Sequence, residues 1–231
     1  MDRIVSGLAN RTAGHPYVRG SIVRRLQTAF NGVDLKGVDI SVGTVDSVYG
    51  KDTSGAVRKW QAANGMTETG EVTLGQYIEL VGTAPDDFEM CLQLTSRFEG
   101  HGFEKAKGNF DGARVTWGII GFTMLSGSLQ KVIARIDDAE STAVNSVFGD
   151  DLERDLRAAL KLQKTGEKAP LWADSITIPD TGGELVPKWD AAFKKLGGTT
   201  VAQDQQIAQA HEDYWTRAKR DFNRLALVGI A

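Results

Sequence analysis

Residues 45–66 read Val45-Asp46-Ser47-Val48-Tyr49-Gly50-Lys51-Asp52-Thr53-Ser54-Gly55-Ala56-Val57-Arg58-Lys59-Trp60-Gln61-Ala62-Ala63-Asn64-Gly65-Met66. From Thr53 to Asn64 the apolar residues Ala56, Val57, Trp60 and Ala63 share one face at helical spacing, and Asn64-Gly65 supplies a left-handed stop. Upstream, Val33–Gly50 is dotted with glycine and β-branched residues and reads as loop. Before that loop, Ile22, Val23, Leu26 and Phe30 recur at the spacings of an amphipathic helix. Downstream, the turn Glu68-Thr69-Gly70 leads to a third helix from Thr73 to about Leu80, with Thr73 as its cap. Together these segments predict a compact three-helix module in which Trp60, on the apolar face, is core.

The whole chain has 231 residues, of which 41% are hydrophobic and 25% charged. That length allows one large domain or a small one joined to a medium one, and the composition is that of a globular protein. The net charge of −3 favours neither nucleic acid nor an anionic membrane. A single cysteine, Cys91, excludes an intrachain disulfide and a zinc site built on several thiolates. His15, His101 and His211 lie far apart with no HExxH-type spacing, so neither metal nor cofactor is expected. The first residues carry no long apolar core, and no run of 18 apolar residues occurs, so the expectation is a chain that folds in a cytosol. Punctuation at Val81-Gly82-Thr83-Ala84-Pro85-Asp86-Asp87 suggests a boundary, giving domains at 1–82 (core about 20–81) and 86–231.

Over residues 20–81 the pattern Val23…Leu26-Gln27, Val45-Asp46-Ser47-Val48-Tyr49-Gly50 and Thr53…Ala56-Val57…Trp60-Gln61…Asn64-Gly65-Met66 resembles the peptidoglycan-binding domain of bacterial and phage cell-wall hydrolases. That family has a turn like D-G-x-F/Y-G followed by T-x-x-A-V-x-x-F-Q-x-x-N-G-L. Ser47 stands where the family has its turn glycine, and Trp60 where it has phenylalanine.

The second part opens on Asp87-Phe88-Glu89-Met90-Cys91-Leu92-Gln93-Leu94-Thr95-Ser96-Arg97-Phe98-Glu99-Gly100. Phe88, Cys91, Leu92, Leu94 and Phe98 form an apolar stripe, and Gly100 is expected to end the helix. Glu99 falls on the shoulder of that stripe in the last turn. Partial desolvation and the negative end of the helix dipole would both favour its protonated form, as a proton donor to a leaving-group oxygen requires. Asp111-Gly112 then reads as a turn, and Ala113–Thr123 as one strand carrying Thr116, Gly118 and Ile120 on a single face. A carboxylate at the turn and a hydroxyl on the strand can converge on one water, the general-base half of an inverting glycosidase.

This order resembles the lysozyme superfamily, and most closely its chitosanase-like branch, glycoside hydrolase family 46 with its phage relatives. Thr95-Ser96-Arg97-Phe98-Glu99-Gly100 is similar to that family's T-S-x-F-E motif. Asp111–Thr123 is similar to its D-G-x-G-I-T-x-G-x-x-G-F-T motif. The resemblance implies Glu99 as general acid, Asp111 as general base and Thr116 as the residue orienting the water. Two departures reshape the sugar groove: Arg114 replaces a family glycine, and the segment between acid and base is short. Ser128–Ile136, Asp150–Leu162 and Val201–Leu225 show helical spacing. The expected fold is therefore mainly α with a small β-sheet (α+β, lysozyme-like), preceded by the three-helix wall-binding module. Trp172, Trp189, Tyr214 and Trp215 are read as packing rather than sugar platforms, and Arg217, Lys219, Arg220 and Arg224 as a solvated helix face.

A wall-binding module joined to a lysozyme-like domain implies a muramidase of the phage endolysin type, cleaving β-1,4 bonds of peptidoglycan. A monomer is expected, with no nucleic-acid partner and no stable membrane insertion. It would reside in the host cytoplasm until a separate holin opens the membrane, and then in the periplasm and cell wall. A lytic transglycosylase would use Glu99 without a base-activated water. A chitosanase would act on a polycationic sugar, and a non-catalytic virion component would only bind wall. No G-x-S-x-G elbow and no Walker loop is present.

Overall fold

The structure, a computed structural model, describes residues 18–35, 37–99, 102–162 and 168–227. By compactness the chain divides into two units, Met1–Gly100 and His101–Ala231.

In the first unit, α1 (Ser21–Gly32), α2 (Lys51–Ala63) and α3 (Leu74–Val81) are the three helices expected from the sequence. Leu26, Tyr49, Val57, Trp60 and Tyr77 are buried together at their centre. Gly65 takes the left-handed conformation (φ 67°) just past α2. Thr73 caps α3 in a reciprocal capping box with Gln76, and Gly82 (φ 86°) closes that helix.

The described residues of 33–50 form neither helix nor strand beyond isolated bridges. They are held instead by side chains reaching from the helices. Gln27 of α1 donates through Nε2 to Asp46 Oδ1 (2.7 Å), while its Oε1 accepts the Ser47 N–H (2.8 Å). Ser47 therefore holds the left-handed turn position (φ 62°) without being glycine. Gln61 of α2 does the same for the turn before α3: Oε1 accepts the Gly70 N–H and Nε2 donates to the Glu71 carbonyl.

The helix after the boundary signal, α4 (Asp87–Glu99), begins with a second reciprocal box between Asp86 and Glu89. It packs within the first unit through Met90 on the core and the Arg25–Glu89 ion pair at 2.6 Å. The punctuation at residues 81–87 sets the boundary ahead of α4, whereas compactness sets it behind, at Gly100.

The second unit is built on a three-stranded antiparallel sheet in the order β1 (Ala106–Lys107), β2 (Thr116–Trp117), β3 (Phe122–Thr123). The expected single strand over Ala113–Thr123 is corrected: the chain turns back at Gly118–Gly121, so Thr116 pairs with Thr123 and Trp117 with Phe122. Gly118 (φ 90°) and Gly121 (φ 68°) provide the left-handed residues of the turn. Gly118 and Ile120 therefore lie in a turn and not on a strand face beside Thr116.

Around the sheet run α5 (Ser128–Ala139), α6 (Ala143–Leu162, kinked at Gly149), α7 (Lys168–Ser175), α8 (Pro187–Gly197) and α9 (Thr200–Ala210). A π-helical turn at His211–Trp215 leads into α10 (Thr216–Leu227). The core is aromatic: the Phe148 ring meets Phe193 edge-on at 5.2 Å, Trp172 meets Trp189 likewise, and Trp117 tilts against Phe193 at 5.7 Å. Trp189 is thus core, whereas Tyr214 is exposed. Arg217, Lys219 and Arg220 lie on a solvated face as expected.

Candidate active site

The loop between β1 and β2 is a chain of hydrogen bonds that the short sequence Gly108-Asn109-Phe110-Asp111-Gly112-Ala113-Arg114 makes with itself and with the end of α7. The Asn109 N–H donates to Thr177 Oγ1 (2.9 Å), and its side-chain Nδ2 donates to Asp174 Oδ1 (2.7 Å). Its Oδ1 accepts the Arg114 N–H at 3.0 Å. Gly108 sits so close to Thr177 that a Cβ there would overlap it. One asparagine therefore braces both ends of the loop.

Asp111 lies at the tip and is exposed. Its Oδ1 accepts the Ala113 N–H at 2.9 Å, and Gly112 follows at φ 84°. Asx-turns of this kind fix a carboxylate relative to its own backbone and leave the second oxygen open to solvent. A carboxylate so held can take a proton from water. Thr116 opens the central strand, half-buried, and its methyl packs against the Gly121 turn. Asp111 and Thr116 are thus carried by one braced segment of the second unit. Glu99 is the last residue of α4 in the first unit, and its side chain lies outside the described residues, as do Gly100 and His101.

Behind this segment, Gln206 of α9 is fully buried and clamps two backbones. Its Oε1 accepts the Ile119 N–H (2.9 Å), and its Nε2 donates to the Phe103 carbonyl (3.0 Å). Trp117 Nε1 donates to the Phe193 carbonyl at 3.2 Å. These ties hold the hairpin rigidly, as a site carried by so small a sheet requires. Neither Asn109 nor Gln206 stands out in the sequence reading. Asn109 belongs to a Gly-Asn-x-Asp-Gly cluster of turn formers, which is a usable signal. Gln206, amid a helix rich in glutamine, carries none.

Among the described residues no group of three His, Cys, Asp or Glu is placed to hold a metal ion. Nor is any described helix long and apolar enough to cross a membrane.

Residues 19–77 match the profile of the peptidoglycan binding domain family. The match spans α1, α2 and the first half of α3 and supports a cell-wall-associated function with peptidoglycan as partner. No curated protein matches the chain, and no solved structure matches it either.

Proposed function

We propose that this protein is a peptidoglycan hydrolase of the endolysin type, in which the first unit binds wall and the chain cleaves β-1,4 glycosidic bonds as a muramidase. The observation that carries the reading is the wall-binding match at 19–77, in one chain with the order Glu99, Asp111-Gly112 and Thr116. In this mechanism Glu99, protonated, donates to the leaving-group oxygen as the glycosidic bond breaks. Asp111 removes a proton from the attacking water, which Thr116 orients. The lysozyme-like, chitosanase-related character of the catalytic part, its release through a separate holin and its final site in the periplasm and wall belong to the same reading.

The test is mass spectrometry of purified peptidoglycan digested by wild type, Glu99→Ala and Asp111→Ala. New reducing-end sugars are expected with wild type, falling by about 10²–10⁴-fold with either substitution. Anhydro-sugar products that survive Asp111→Ala would mean a lytic transglycosylase. Cleavage of chitosan alone would mean a chitosanase. No products with sacculus binding intact would mean a wall-binding component without catalysis.

A further inference from the structure

Arg114 stands in the braced loop, three residues after Asp111 and two before Thr116, where the resembling family has glycine. Two features of the residue are each unfavourable. Its backbone is left-handed (φ 68°), a conformation that arginine adopts only at a cost and glycine adopts freely. The residue as a whole is 8% exposed, yet among the described residues Nη1 has no hydrogen-bond partner. Among the described residues no carboxylate pairs with it, although Asp111 and Asp174 belong to the same loop system. A desolvated guanidinium with an unmet donor is costly in a folded protein. Both costs would vanish with glycine. Strain and an unmet charge that coincide at one residue of a candidate site are the signature of a group built for a ligand.

The missing acceptor has a definable chemistry. A guanidinium offers a planar fork of donors and a permanent positive charge, which match a carboxylate in two parallel hydrogen bonds. The loop that carries it is fixed at both ends by Asn109, which places the Arg114 backbone in advance. The glycan of the bacterial wall carries carboxylates on its stem peptides, and on the lactyl groups where no peptide is attached. Chitin is neutral, and chitosan is a polycation that a buried arginine would repel.

We propose that Arg114 is a specificity residue that takes a carboxylate of the wall glycan and turns this loop against cationic sugar polymers. The inference rests on the glycosidase reading given above. Its test uses the full chain as wild type, Arg114→Gly and Arg114→Lys. The substrates are soluble peptidoglycan strands, either native or with their carboxylates converted to amides. For wild type, amidation should raise KM by about tenfold or more with kcat little changed, the scale of a lost charge-assisted hydrogen bond. Arg114→Gly should show the raised KM on native strands and no further response to amidation. Arg114→Lys should recover part of the difference. The melting temperature of Arg114→Gly should equal or exceed that of wild type, because strain and the unmet donor are both removed.

Equal KM for wild type and Arg114→Gly on native strands would overturn the proposal, as would a loss in Arg114→Gly that is the same for native and amidated strands. If wild type releases no sugar at all, the glycosidase reading fails. The difference in strand affinity between wild type and Arg114→Gly, measured calorimetrically on native and amidated strands, then decides Arg114 separately.

Discussion

Two buried tyrosines in the first unit show how a single oxygen changes the worth of a side chain. Tyr49 donates its phenolic O–H to the Gly70 carbonyl at 2.8 Å, joining the loop before α2 to the turn before α3. The Tyr77 hydroxyl is as deeply placed but has no partner. Burial pushes both phenols well above the ordinary tyrosine value, so neither ionises near neutral pH. Tyr49→Phe leaves the Gly70 carbonyl with only the longer bond from Ser54 Oγ (3.4 Å) and should cost about 1–2 kcal/mol. Tyr77→Phe removes an oxygen that gains nothing from burial and should be neutral or stabilising by up to about 1 kcal/mol. Thermal melts of the two variants at neutral pH check this. A melting point lowered as far by Tyr77→Phe as by Tyr49→Phe would refute it.

At the scale of elements, the β2–β3 hairpin depends on a close approach that only glycine permits. A Cβ on Gly118 would overlap Gln206 Oε1, the atom that accepts the Ile119 N–H. Gly118→Ala should therefore destabilise the second unit by about 2–4 kcal/mol, through left-handed strain together with displacement of the Gln206 clamp. A melting point lowered by less than a degree would show that the clamp is dispensable.

The same hairpin marks where sequence and structure part. Residues 113–123 are rich in β-branched and aromatic types, and that signal outweighs Gly118 and Gly121, whose three-residue spacing announces a turn. α8 is legible although the sequence reading passes over it, for Pro187 starts it and Trp189, Ala192, Phe193 and Leu196 fall on one face. The first unit reads well because helix caps, a glycine stop and apolar periodicity agree there. The site is legible only as an order of residues. The brace through Asn109, Asp174 and Thr177 joins segments more than sixty residues apart in sequence, which no local pattern encodes.

The π-helical turn between α9 and α10 adds a pH-dependent tie to α5. Lys131 donates to Asp213 Oδ1 at 2.9 Å, and Arg135 pairs with Glu212. Burial of Asp213 works against its ionisation. The hydrogen bond from Lys131 and the charges of Lys131 and Arg217 outweigh that effect and hold the carboxyl below its ordinary 3.8. A carboxyl depressed in the folded state contributes stability above its unfolded value, and the contribution is lost as pH falls through the folded value. Lys131→Met should therefore melt a few degrees at most below wild type at pH 7, since Lys131 is itself half exposed. The gap should close on acidification below the ordinary value. A gap that widens in acid would contradict the assignment.

For the whole molecule, the chain divides into Met1–Gly100, which ends just after the proposed acid Glu99, and His101–Ala231, which carries the proposed base Asp111. The wall-binding match ends at Tyr77, inside the first unit, whereas Asp111, Arg114 and Thr116 all lie in the second. Each unit has its own buried core: Leu26, Tyr49, Trp60 and Tyr77 in one, Trp117, Phe148, Trp189 and Phe193 in the other. Units with independent cores melt as independent cooperative transitions unless their interface is large and apolar. Calorimetry of the full chain should thus resolve two transitions. Tyr49→Phe should lower only one of them and Gly118→Ala only the other. The functional counterpart comes from the same division. Under the proposed function, Asp111→Ala should sediment with insoluble sacculi as fully as wild type while releasing sugar about 10²–10⁴-fold more slowly. Gln27→Ala, which removes the side chain holding both Asp46 and Ser47, should weaken sedimentation. Sedimentation of Gln27→Ala equal to that of wild type would show that the loop held by Gln27 plays no part in wall binding.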